Sequence, residues 1–125
     1  MQLQLIAVTQ DGNSIQWIKN PSISVQLAAV NQNGHCIQYI EDPSEKVQLI
    51  SVTKNEYAIK FIKDPSEKVQ LAAVNQNGTS IAYISFPSEK VQLAAVTKDG
   101  YSIEYIKNPS ILVYLAAIKW KLINF

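Results

Sequence analysis

His35 and Cys36 are the only histidine and the only cysteine of the chain. Together they hold the groups of a thiolate–imidazole pair or the beginnings of a soft-metal site. Their spacing argues against both. Neighbouring residues on a helix point apart, and a protein-bound zinc needs three or four donors. Acid–base chemistry would need paired carboxylates. Glu45, Glu67 and Glu89 recur instead at one position before an apolar run, where a carboxylate complements a helix start. Asp11 and Asp99 stand beside Gly12 and Gly100, where aspartate forms turns. The chain carries no glycine-rich phosphate loop and no nucleophile-elbow serine. The expectation is a protein that is not an enzyme, with no catalytic, cofactor-binding or metal-binding residues.

The charges narrow the partners. Eleven basic residues, all lysine, face ten acids, for a net charge of +1. Nucleic-acid binding draws on a basic excess, and arginine, the bidentate reader of phosphate and guanine, is absent. Nucleic acid is therefore an unlikely partner on this reading, and another protein the expected one. No apolar stretch approaches the ~20 residues of a membrane span. The start, Met-Gln-Leu-Gln-Leu, lacks the charged and apolar regions of a signal peptide. The expected location is cytoplasmic.

The elements that would position any site come from a repeat. Pro21, Pro43, Pro65, Pro87 and Pro109 are 22 residues apart, and each is followed by serine. Counting proline as position 1, the chain reads as a single repeat domain, 1–125, with copies 1–20, 21–42, 43–64, 65–86, 87–108 and 109–125. Position 5 is Leu3, then Val25, Val47, Val69, Val91 and Val113. Position 7 is leucine in all six copies, from Leu5 to Leu115. Position 10 runs from Val8 to Ile118. Isoleucine holds position 17 from Ile15 to Ile103 and position 20 from Ile18 to Ile106. Such columns mean that each unit packs on a copy of itself.

Local signals divide each copy into two helical pieces. Asp42-Pro43-Ser44-Glu45 reads as an N-cap aspartate, proline at the first helical position and glutamate at the third. The helix then runs through Val-Gln-Leu-Ala-Ala-Val. Asn77-Gly78 and Asp99-Gly100 read as its stop, with glycine free to take positive φ. A shorter helical segment follows, as at Ser80 to Ile84. The predicted architecture is all-α: an α-solenoid of stacked short helix pairs, about 5.5 repeats of 22 residues. A period of 22 also suits a leucine-rich strand repeat, but the L-x-x-L-x-L spacing is missing.

The unit Glu-Lys-Val-Gln-Leu-Ala-Ala-Val-Asn-Gln-Asn-Gly, followed by Ile-x-Tyr-Ile, resembles a repeat family known only as a domain of unknown function. That family occurs in large DNA viruses, phages and some bacteria. Residues 69–84 and 91–106 carry the likeness best. The pattern is also similar to leucine-rich-repeat-variant and HEAT-like solenoids. The resemblance implies a binding scaffold, a viral or phage source and, in that case, host cytoplasm. It supplies no catalytic residues. Two departures stand out. Glu56 replaces the glycine, which predicts a left-handed Asn55. Phe86 replaces the Asp or Asn before proline, which predicts a helix at Pro87 without its normal cap.

Stacking needs identical residues, whereas recognition needs different ones. Position 15 reads Asn13, His35, Tyr57, Thr79, Tyr101, and position 18 reads Gln16, Gln38, Lys60, Ala82, Glu104. Tyr57, Phe86 and Tyr101 are aromatic where no packing column asks for it, and exposed aromatics make binding hot spots. The candidate protein-binding residues are therefore His35, Tyr57, Lys60, Phe86, Tyr101 and Glu104. The aromatic column at position 19 (Trp17, Tyr39, Phe61, Tyr83, Tyr105) is expected in the core or at its margin. Position 6, from Gln4 to Gln92 and ending in Tyr114, is expected on a solvated face, in an amide ladder between layers or in a polar groove. The apolar last copy either seals the fifth repeat or dimerises through Tyr114, Trp120 and Phe125. Column 16, with Ser14, Cys36, Ala58, Ser80 and Ser102, reads as tight packing. The functional expectation is a protein-binding repeat scaffold, in its sharper form a phage- or virus-encoded inhibitor that blocks a host complex sterically. The alternative is a self-associating structural repeat protein.

Overall fold

The computed structural model describes residues 2–125, and the regular elements among them are all helical, with no strand. Six α-helices, α1 (Gln2–Gln10), α2 (Ile23–Gln32), α3 (Glu45–Lys54), α4 (Glu67–Gln76), α5 (Glu89–Lys98) and α6 (Ile111–Asn124), alternate with five 3₁₀ segments. These are η1 (Gly12–Trp17), η2 (Gly34–Tyr39), η3 (Ala58–Phe61), η4 (Gly78–Tyr83) and η5 (Gly100–Tyr105). The all-α repeat is thus as expected, with 3₁₀ turns in place of the second helix of each pair. The chain forms two compact units, Met1–Asp64 and Pro65–Phe125.

Each unit has two layers. In the first, α1, α2 and α3 pack in series, and η1, η2 and η3 pack in series beside them. In the second, α4, α5 and α6 form one layer and η4 and η5 the other. The core lies between the layers. Val25, Val47, Val69, Val91 and Val113 are wholly buried, as are Val30, Val74 and Val96. Burying each such side chain contributes roughly 1.5–3 kcal/mol. Ile15, Ile37, Ile59 and Ile81 meet them from the 3₁₀ layer. The leucines of position 7 stop short of full burial: Leu27, Leu49, Leu71 and Leu93 are half-buried and Leu115 is exposed.

The helix starts differ from the sequence expectation by two residues. The N-cap is the serine after proline. Ser22, Ser44, Ser66, Ser88 and Ser110 each accept a hydrogen bond at 3.3–3.4 Å from the backbone N–H of the position-5 valine. Asn20, Asp42, Asp64 and Asn108 cap nothing there. They hold φ of 49–54°, a left-handed conformation that short polar side chains tolerate best after glycine. Phe86, at the equivalent place, is not among the positive-φ residues. The helix after it keeps its cap in Ser88, so the predicted loss of a cap does not occur.

The stop signal also works differently. No glycine has positive φ. Asp11, Asn33, Asn77 and Asp99 are extended and accept from the N–H two residues on, at 3.0–3.3 Å, which starts the 3₁₀ segment. Asn55 does the same at 2.8 Å with φ −145°, so it is extended and not left-handed. The glycines are there for space. A Cβ on Gly34 would collide with the carbonyl oxygen of Ser51 on α3, and one on Gly78 with that of Ala95 on α5. The position-6 glutamines brace their own repeat: Gln26, Gln48, Gln70 and Gln92 donate to the carbonyls of Pro21, Pro43, Pro65 and Pro87 at 2.9–3.0 Å. They build no ladder between layers.

Candidate functional site

The residues after each 3₁₀ segment leave helical geometry. Ile18, Ile40, Ile84 and Ile106 cap those segments in extended conformation, near φ −100° and ψ 120°. Their side chains turn inward, Ile40, Ile84 and Ile106 being buried. The next two residues and the proline then cross the surface to the following helix. Successive crossings lie side by side within a unit, and a groove opens between them.

This groove recurs. In the first unit a cavity of about 660 Å³ runs between the Ile18–Pro21 and Ile40–Asp42 crossings, with Gln26 on its floor and Tyr39 on its wall. The next, of about 290 Å³, lies between Ile40–Pro43 and Ile62–Lys63, with Gln48 and Phe61 in the same roles. In the second unit a cavity of about 300 Å³ lies between Ile84–Pro87 and Ile106–Asn108, again with a glutamine, Gln92, and an aromatic, Tyr105. The walls are constant (aromatic, isoleucine, proline, glutamine), while the rims vary. Position 21 supplies Lys19, Glu41, Lys63, Ser85 and Lys107, and position 22 supplies Asn20, Asp42, Asp64, Phe86 and Asn108.

The aromatic column is therefore not core. Trp17 is 82% exposed, and Tyr39, Tyr83 and Tyr105 are exposed as well; only Phe61 is half-buried. The 3₁₀ segments have three residues per turn. Positions 17 and 20 share the inner face, and position 19 falls a third of a turn away. The Tyr105 hydroxyl pKa is raised, first by its hydrogen bond with the Glu104 carboxylate and then by that carboxylate's charge.

The six sequence candidates fall into three places. In the first unit His35, half-buried, meets the Phe61 ring edge-on at 4.9 Å. The Lys60 ammonium sits 5.1 Å from the Phe61 ring centre and 5.9 Å from that of Tyr57. His35, Tyr57 and Lys60 thus gather around one wall of the groove. In the second unit Phe86, 95% exposed, stands on the rim of the cavity that Tyr105 lines. Glu104 precedes Tyr105 in sequence and accepts a hydrogen bond from its hydroxyl. Tyr101 belongs elsewhere. Its ring meets Trp120 edge-on at 5.6 Å and carries the Lys121 ammonium 5.1 Å from its centre. Trp120 also closes over Gly100, so it is committed to its own unit, whereas Tyr114 and Phe125 are exposed. The sequence reading missed Tyr39 and Tyr105 as groove walls; their place beside the buried position 20 in the chain reads as core.

Cys36 is wholly buried, and burial pushes its thiol up to about 11, so it is neutral at physiological pH. Among the described residues no three His, Cys, Asp or Glu side chains gather as a metal site. Among them, too, no helix is long and apolar enough to cross a membrane. Fold and groove together define an all-α helical repeat protein with an aromatic-walled edge. No family model, no curated protein and no solved structure matches the chain.

Proposed function

We propose that the chain is a non-enzymatic scaffold that binds another protein along the grooved edge of its repeats. The observation that carries this reading is the recurrence of one cavity, with constant aromatic–proline–glutamine walls and variable rims, three times in the two units. Constant walls supply affinity for a common backbone geometry, and variable rims select among sequences. An extended, polyproline-type segment suits the spacing. Such a segment repeats every three residues with a rise of ~3.1 Å per residue. Its side chains recur every ~9 Å, against ~8–10 Å between packed helices. Aromatic-lined grooves are a recurrent receptor for that conformation.

Steric occlusion of the bound segment is the mode of action the surface suits, and a host protein complex is the target class that the resemblance to viral repeats points to. The test is selection from a displayed peptide library, followed by a Tyr39→Ala/Tyr105→Ala variant. Enriched peptides should carry apolar residues three apart and lose at least about tenfold in affinity for the variant, the effect of truncating an aromatic hot spot. Peptides that bind both proteins alike would remove the groove as the site.

A further inference from the structure

We infer that α6 pairs with α6 of a second copy, making the protein a two-fold homodimer through a short helical seam. The inference does not rest on the groove. At positions 3 and 4, where α3, α4 and α5 expose Glu-Lys pairs to solvent, α6 carries Ile111 and Leu112. The helix also runs for 14 residues against 10 in α2 to α5, passing the point where the others end at an Asn or Asp cap and adding Leu122 and Ile123. Neither departure serves stacking within the unit. Val113 and Ala117 already bury the inner face, and Trp120 closes over Gly100.

The outer face has a pattern of its own. Ile111, Leu115, Ile118, Leu122 and Phe125 follow a 4-3-4-3 spacing, the seam of a two-helix coiled coil. All five are exposed: Ile111 at 79%, Leu122 at 77% and Phe125 completely. With Leu112, Tyr114 and Ile123 they offer on the order of 1,000 Å² of apolar surface, against ~800 Å² per partner in a standard interface. The largest apolar patch of a monomer is typically ~300–600 Å². Fourteen residues span ~21 Å, two heptads held in place by the folded unit beneath.

Charge favours a second copy as the occupant. α6 has no acid, and of its two lysines Lys121 is turned back onto Tyr101 of its own unit. Lys119 alone flanks the seam. In a parallel pair the heptad sets it opposite Tyr114 of the second copy, giving a cation–π contact and no like-charge clash, whereas an antiparallel pair would put it on the flank of Leu112 and Lys119; the pairing is therefore parallel. The surface is then self-complementary, as a two-fold interface requires.

The experiment is mass by light scattering on the full chain at tens of micromolar. The expected mass is twice 13.9 kDa. Ile111→Glu/Leu122→Glu, at two highly exposed positions, should weaken the dimer by about 100-fold or more and give the single mass with an unchanged far-ultraviolet spectrum. Leu3→Glu, on the exposed flank of α1, should leave the dimer intact. A wild type of single mass at hundreds of micromolar, a double variant still dimeric, loss of assembly in Leu3→Glu, or open-ended polymers would each overturn the pairing. Peptide binding at the groove is read separately, so failure of one does not imply failure of the other.

Discussion

Replacing Gly34 by alanine adds one methyl group, and the structure fixes the sign of its effect. If the glycine served to reach positive φ, its backbone would show it; no glycine in the chain does. At negative φ with free space, alanine would stabilise the protein by about 0.4–1 kcal/mol through the unfolded chain. The space is not free. The new Cβ would run into the carbonyl oxygen of Ser51 and stand 3.1 Å from the backbone nitrogen and the Cβ of Asn55. Those atoms belong to the end of α3, which cannot retreat cheaply, because the Ser51 hydroxyl donates to the Gly34 carbonyl at 2.6 Å in a buried hydrogen bond. Overpacking costs about 1–3 kcal/mol, and losing that bond about 0.5–1.5. The net expectation is a loss of about 2–3 kcal/mol, a fall in Tm of roughly 8–12 °C for a chain of this size. Urea and thermal unfolding of Gly34→Ala against wild type measure it. Gly100→Ala should lose less, since its nearest obstacle, at 2.7 Å, is the movable Trp120 ring. An unchanged or raised Tm in Gly34→Ala would refute the close-approach reading and restore the glycine as a conformational stop.

Ser44→Ala should cost about 1 kcal/mol in urea unfolding, while Asp42→Gly, at φ 50°, should stay within about 0.5 kcal/mol; the opposite order would return the cap to the aspartate. Phe86→Asp removes a side chain that is almost fully exposed and should change stability by less than about 0.5 kcal/mol, while weakening a peptide bound in the second unit's groove. Cys36 should resist thiol reagents at pH 8 until the chain unfolds, its thiol lying near 11 in place of 9.0. Because the folded state holds that proton more tightly, stability should fall as pH rises between those two values, and a Cys36→Ser control should lose the cysteine's share of that fall, leaving that of the Tyr105 hydroxyl.

The prolines and their columns made the repeat legible, and valine at positions 5 and 10 marked the core correctly. The helix start was misread by two residues because Asp-Pro-Ser offers two capping side chains. Backbone geometry decides between them: the residue before proline turns left-handed, which leaves serine to accept the first N–H groups. The glycines were assigned to the right turn for the wrong reason, since their neighbour is the next repeat's helix and close approach leaves no local trace. The groove stayed hidden for a third reason. Position 19 adjoins the buried position 20 in sequence, which suggests core, but a one-residue step of about 100–120° in either helical period sets Tyr39 and Tyr105 off the inner face. Variation among copies points to the same edge that the grooves occupy, since His35, Tyr57, Lys60, Phe86 and Glu104 gather at or beside groove walls. Tyr101 and Trp120, by contrast, are spent on each other.

The proposed receptor for the partner is the edge between crossings, and not the half-buried leucine face of the α-helices. Backbone amide shifts of the isotopically labelled chain, followed while a selected peptide is titrated in, test it most directly. Perturbations concentrated at Lys19–Gln26, Tyr39–Asp42, Phe61–Lys63 and Tyr105–Asn108 are the predicted result. Shifts confined to Leu27, Leu49, Ile50 and their neighbours on the helix face would contradict it.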